Sequence, residues 1–152
     1  MKAYRIAGGS YPVFDAAGAE LYGGRWNSAG RPVIYAGESF AIAMLERLVY
    51  TGIGRVPRDS RYVEIEIPDD LPVETVALLD LPGWDSADLA ASRAFGDRWQ
   101  AEGRGAVLSV PSVVTGIDRN LVLNPRHADF ARLIAGAEQP VTWDRRLFSR
   151  PA

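Results

Sequence analysis

The chain has 152 residues, a formal net charge of −2 and 47% hydrophobic residues, which suits one packed domain over 1–152 and excludes both a disordered chain and a broad basic surface for nucleic acid. Cysteine is absent, His127 is the sole histidine and Lys2 the sole lysine, so thiolate nucleophiles, disulfides and Cys/His zinc sites are removed, the position of Lys2 argues against a phosphate-loop or Schiff-base lysine, and no G-x-S-x-G elbow offers a serine hydrolase. No apolar run approaches the roughly 20 residues of a membrane span and the N-terminus lacks the apolar core of a signal peptide, so a cytoplasmic protein is expected, with no membrane contact.

Alternation of Tyr4 and Ile6 with Ala3 and Arg5 predicts a first strand over residues 3–6. Residues 10–24 read as a long loop punctuated by Pro12, Asp15 and Gly18, a length that in a small domain often has a functional reason. Then comes the densest recognition chemistry in the chain: Gly23, Gly24, Arg25, Trp26 and Asn27. The glycines let backbone approach a ligand, the arginine offers a planar fork of donors, the indole a flat face, and the amide both donates and accepts. Taken singly, Trp26 reads as core and Arg25 as surface; together they point to a site.

A short strand at residues 33–36 is followed by a helix over 40–50, with Ser39 as N-cap and Gly52 beyond its end. On it Ile42, Leu45, Glu46 and Val49 fall on one face, which turns the Glu46 carboxylate inward among aliphatic side chains. A carboxylate there must be paired, hydrogen-bonded or at the floor of a cleft. Two readings are open: a structural ion pair, with Arg25 the obvious partner, or a catalytic group.

Residues 61–68 alternate as a half-buried strand with Val63, Ile65 and Ile67 inward and Glu64 and Glu66 solvated; residues 73–79 suggest another strand and Pro82-Gly83-Trp84 a turn. A mainly structural helix, capped by Asp85 or Ser86, is predicted to about Glu102 with Phe95 and Trp99 as an aromatic stripe. Residues 106–110 form a buried strand closed by Pro111, after which the Ser112 hydroxyl is aimed by fixed backbone; it is either a ligand contact or a serine bonding nearby main chain. A strand at 121–123, an Asn124-Pro125 turn, a helix over 128–135 and a last strand within 141–148 complete the prediction. His127 reads as a packed or capping residue rather than a general base, and the clusters Arg55/Arg58/Arg61 and Arg145/Arg146 as solvated rims or partner contacts.

In order along the chain, YRI at 4–6, YGGRWNSAG at 22–30, VIYAGES at 33–39, AMLERL at 43–48, PGW at 82–84, GDRW at 96–99, VPS at 110–112, LVLNPRHADF at 121–130 and WDRRLF at 143–148 resemble the RES domain, the toxin component of RES-Xre toxin-antitoxin pairs. The resemblance implies an α+β fold with a split mixed β-sheet core and flanking helices, similar to ADP-ribosyltransferases of the diphtheria-toxin type, and an activity that depletes NAD. By position it implies that Arg25 contacts the dinucleotide, holding its pyrophosphate, and is catalytic together with Glu46, the catalytic carboxylate; that Tyr35 lines the nicotinamide side and Ser112, or its neighbour Ser109, completes the site; and that Arg5 lies in the same pocket with Trp26 a candidate second wall for the nicotinamide ring. It further implies NAD as substrate without another cofactor or a metal, and a hetero-oligomer in which an Xre-type antitoxin covers the site. The open alternatives are transfer of ADP-ribose to a protein and a non-catalytic module that binds a nucleotide or a partner. A single spatial expectation follows: Arg25, Tyr35, Glu46 and Ser112 converge on one cleft.

Overall fold

The computed structural model describes residues 1–52 and 54–148. Its elements are β1 (Lys2–Gly8), α1 (Ala17–Tyr22), β2 (Ile34–Gly37), α2 (Phe40–Thr51), β3 (Ser60–Glu66), β4 (Val73–Thr75), α3 (Ala90–Ala101), β5 (Val107–Pro111), β6 (Arg119–Leu123), β7 (Ile134–Ala135) and β8 (Gln139–Pro140), with 3₁₀ turns at Ala128–Arg132 and Arg145–Leu147. Among the described residues the strands form one eight-stranded sheet in the order β4-β5-β6-β2-β1-β3-β7, with β8 also on β3. The β4–β5 pair is parallel and the others antiparallel, the mixed α+β arrangement expected from the sequence.

The sheet is split at its centre. β1 pairs with β3 along its whole length, from Lys2↔Glu66 to Gly8↔Ser60, whereas it meets β2 only at Tyr4↔Gly37. Beyond that point β1 and β2 diverge, and the gap between them opens the cleft described below.

Strand period two explains which side chains go where. On one face Ala3, Ile34, Ala36, Val63, Ile65, Val107, Leu121 and Leu123 form one core; on the other, Leu108, Val110 and Val122 join Trp26, Val33, Trp84 and Trp99 in a second. β5 and β6 are therefore buried on both sides, which is why they read as unbroken apolar runs. Helix α2 lies on the second face, where Phe40 packs edge-on against Tyr4 and Tyr62 at 5.8 and 4.8 Å, and α3 lies beyond it against Trp26.

Several local predictions need correction. The expected loop at 10–24 contains α1, a six-residue helix with no buried residue, and so with no apolar stripe to announce it. In α2 Ser39 does cap, its side chain accepting from the Ile42 amide, but the inward face is rotated: Leu45 and Val49 are exposed while Ala43, Glu46, Arg47 and Tyr50 turn to the cleft. α3 begins later than expected, at Ala90, where Asp88 Oδ1 accepts from the Ala90 amide. The segment after Asn124 is a 3₁₀ turn followed by β7 instead of one helix, and the tail forms a 3₁₀ turn capped by Asp144 instead of a strand. His127 Nδ1 accepts from the Asp129 amide, which selects capping from the two roles, packed or capping, expected of it. Among the described residues no helix is long and apolar enough to cross a membrane.

Candidate active site

A cleft of about 540 Å³ opens at the sheet split, within the usual size range of small-molecule sites. Its floor is the β1 and β2 surface at Tyr4, Ile6, Tyr35 and Gly37; one wall is α2, with Glu46, Arg47 and Tyr50; the other is the end of α1 and the turn Gly23–Trp26.

The turn wall is heavily braced. Gly23 ends α1 with φ 71°, a conformation that favours glycine, and the Gly24 amide donates to Asn27 O at 2.9 Å to close the turn. The Asn27 side chain, 1% exposed, donates to Ala19 O at 2.8 Å and Arg31 O at 2.9 Å and accepts from the Tyr35 hydroxyl at 2.7 Å. That hydroxyl in turn accepts from the Trp26 amide at 2.9 Å, and burial pushes the Tyr35 phenol well above its ordinary pKa. A Cβ on Gly24 would stand 2.6 Å from the same hydroxyl, so only glycine fits. Helix α3 clasps the turn from outside: Arg93 Nε donates to Gly24 O at 2.8 Å, Asp97 accepts from the Ser28 amide and hydroxyl, and Gly96 lies directly against the Trp26 carbonyl.

This bracing sorts the five-residue motif. Arg25 reaches the cleft while its Nη1 donates to Trp84 O at 3.2 Å and Ser86 O at 2.9 Å; among the described residues Nε and Nη2 have no partner. Trp26 borders the cleft but is a core residue, 2% exposed and edge-on to Phe95 at 6.2 Å. It offers no ring face to a ligand, which corrects the expectation that it walls the nicotinamide.

Arg5 lines the cleft too, but its donors are committed: Nε to Val13 O at 2.5 Å, Nη1 to Tyr35 O at 2.9 Å and Nη2 to Asp15 O at 3.4 Å. Burial lowers its pKa, opposed by nearby Asp15. By bonding the Tyr35 carbonyl of β2 from β1 where the strands part, and the Val13 and Asp15 carbonyls of the loop after β1, Arg5 bridges the split in the sheet and ties that loop to it.

The α2 wall carries the carboxylate. Glu46 Oε1 accepts from Ser112 Oγ at 2.9 Å and from Asn120 Nδ2 at 2.7 Å; Oε2 has no partner among the described residues. No ion pair joins Glu46 to Arg25 or to any other described cation, so the structural-pair reading of this carboxylate does not hold. Ser112 is fully buried and stands behind Glu46 instead of on the cleft surface. Ser109 faces the opposite side of the sheet, its hydroxyl accepting from Arg119 Nε at 3.0 Å, so of the two serines Ser112 belongs here. Arg25, Tyr35 and Glu46 thus converge on the cleft, with Ser112 one bond behind.

Two residues at the site escaped sequence reasoning. Asn120 shares a sheet face with Val122 and Gly37, and an amide opening an apolar strand at period two was the available signal. Arg47 follows Glu46 on α2, and once Glu46 is taken to face a cleft, helical geometry lets its neighbour share the rim.

The class defined by this geometry is an α+β domain with an open, carboxylate-bearing cleft at a sheet split. The sequence profile of the RES domain matches residues 2–144, and the chain belongs to the RES domain family. It is 37% identical over 140 residues to the "Prs ADP-ribosylating toxin" of Sphingobium sp. (strain YBL2), covering 90% of this chain and 87% of that protein. It is 34% identical over 157 aligned positions to "Toxin Res" of Yersinia enterocolitica, covering 97% and 99%. Its fold matches the crystal structure of the M. tuberculosis MbcT-MbcA toxin-antitoxin complex with TM-score 0.74 at 19% identity, over 93% of this chain and 84% of that one.

Proposed function

We propose that this protein is the toxin of a toxin-antitoxin pair and that its cleft binds NAD and breaks the bond between nicotinamide and ribose. The observation that carries the reading is Glu46: one carboxylate oxygen is fixed by Ser112 and Asn120, the other is left for a ligand, and no described cation neutralises it. As the bond breaks, its electron pair leaves with the ring, giving neutral nicotinamide, and positive charge develops on the ribose, as in other glycosyl transfers. The leaving group needs no proton, so catalysis rests on position and charge. Glu46 Oε2 accepts a hydrogen bond from a ribose hydroxyl and stabilises that charge, Tyr35 walls the nicotinamide side, and Arg25 uses its free edge on the dinucleotide. The acceptor's oxygen then bonds to the ribose carbon and gives up its proton: water yields ADP-ribose, phosphate its phosphorylated counterpart.

A second reading, transfer of ADP-ribose to a protein side chain, is favoured by the name of the 37%-identical Sphingobium relative. It uses the same bond cleavage and differs only in acceptor. The partner we propose is an Xre-type antitoxin seated over the cleft mouth, where Tyr22, Tyr50 and Val113 leave apolar surface exposed. Incubation with NAD labelled in its adenylate half tests both readings. Free nicotinamide with label in small molecules supports cleavage to water or phosphate, label on protein supports transfer, and recovery of intact NAD under all conditions contradicts both.

A further inference from the structure

Three guanidinium groups line the cleft, and their surroundings differ. Arg5 has every nitrogen committed to a backbone carbonyl, and Arg25 has one nitrogen shared between two. The Arg47 guanidinium makes a single hydrogen bond among the described residues, Nε to Ser60 Oγ at 3.5 Å, the outer limit of such a bond. Its guanidinium carbon stands 5.7 Å from the centroid of the largely exposed Tyr50 ring. Among the described residues no carboxylate lies within ion-pair distance of it, since its neighbour Glu46 is turned to Ser112 and Asn120.

The positions of these charges divide the cleft. Glu46 sits where α2 meets β6, at Asn120. Arg47 sits over the far end of β1, with Nη2 close enough to Gly8 that a Cβ there would be 3.5 Å away, and beside Ser60 at the start of β3. Arg5 lies near enough for the Arg47 charge to oppose its own. One end of the cleft therefore presents an unneutralised carboxylate and the other an unneutralised cation, and a side chain so lightly bonded contributes little to the fold. A ligand that suits both carries developing positive charge at one end and fixed negative charge at the other.

Resting on the NAD reading, we infer that Arg47 receives the pyrophosphate of the dinucleotide through its free Nη1 and Nη2 fork, so that the nicotinamide ribose falls at Glu46. Arg25, on the opposite wall, then meets the substrate from the other side.

The test is calorimetric titration of ADP-ribose, which keeps the pyrophosphate and lacks nicotinamide, into wild type, R47Q and R47K, with adenosine as the phosphate-free control. R47Q is expected to weaken ADP-ribose about ten- to a hundredfold, the range of charge-assisted hydrogen bonds. R47K is expected to recover part of that loss, and adenosine to bind all three alike. Raising salt from about 50 to about 500 mM narrows the gap between wild type and R47Q, a response that a purely structural role would not produce. ADP-ribose affinity unchanged in R47Q, or adenosine weakened as much as ADP-ribose, overturns the assignment of Arg47 while leaving the NAD reading standing. Wild-type protein that binds neither NAD nor ADP-ribose overturns the NAD reading itself.

Discussion

The turn wall of the cleft, Gly23 to Ser28, is held by the Asn27 amide, the Tyr35 hydroxyl, the α3 groups Arg93 and Asp97 and the close seat of Gly96, whereas the α2 wall presents Glu46 with one free oxygen and Arg47 with one marginal bond. The denser motif is mostly scaffold. Of its five residues only Arg25 extends a polar side chain into the cleft, and even that side chain is half engaged by backbone carbonyls. The sparser helix carries the unneutralised charges. A ligand needs a rigid frame and a few unpaired groups, and here they are divided between two sides of one opening.

That contrast predicts where substitutions cost stability and where they cost activity. The largest effect on the fold is expected from Gly96→Ala, whose Cβ would overlap the Trp26 carbonyl oxygen. Relief requires α3 and the turn to separate, at a cost of about 3 kcal/mol or more, beyond what alanine returns in helix propensity. In a chain of this size that lowers the melting temperature by roughly 6–12 °C, and an unchanged melting curve would break the claim that this wall is the rigid one.

Ser112→Ala tests the other wall. It frees Glu46 from one of two donors, with an expected drop of about tenfold in turnover, little change in KM for NAD, and about 1 kcal/mol of stability lost. Should stability fall by several kcal/mol and turnover stay level, Ser112 would belong to the frame.

The smallest effect concerns Tyr35. Its folded-state pKa is raised by burial, so its contribution to stability is complete below the unfolded value near 10 and is lost as pH rises above it. Half a pH unit above that value the loss is under about 1 kcal/mol. Comparing denaturant midpoints at pH 8 and 10.5, wild type should lose slightly more stability than Tyr35→Phe. Equal losses would mean that the hydroxyl is not sequestered in the turn.

Much of this architecture is legible in the amino-acid order alone. β3 announces itself by alternation, β5 and β6 by unbroken apolar runs, and α2 by its Ser39 cap. The resemblance picks out Arg25, Tyr35 and Glu46, which the fold gathers at one cleft, and Ser112, which it buries behind Glu46. Hidden from the sequence is whatever depends on contacts between distant segments. The commitment of Arg5 to Val13, Asp15 and Tyr35 carbonyls follows from the parting of β1 and β2, which no local pattern encodes. Trp26 is core because α3 presents a glycine for its backbone to sit on. Leu45 and Val49 misplace the inward face of α2 because both are apolar yet stand exposed outside the cleft lining, and the same rotation conceals Arg47. α1 goes unannounced because six residues with none buried leave no periodicity.

The central claim is that Glu46 acts on the breaking bond while the rest of the cleft holds the dinucleotide. Its most direct test is Glu46→Gln, which keeps the size of the side chain and removes its charge. Nicotinamide release from NAD should fall about a hundredfold or more, as when a group that stabilises transition-state charge is removed, with calorimetric affinity for NAD within a few-fold of wild type. Release at the wild-type rate would contradict the account, and so would NAD affinity lost in step with turnover.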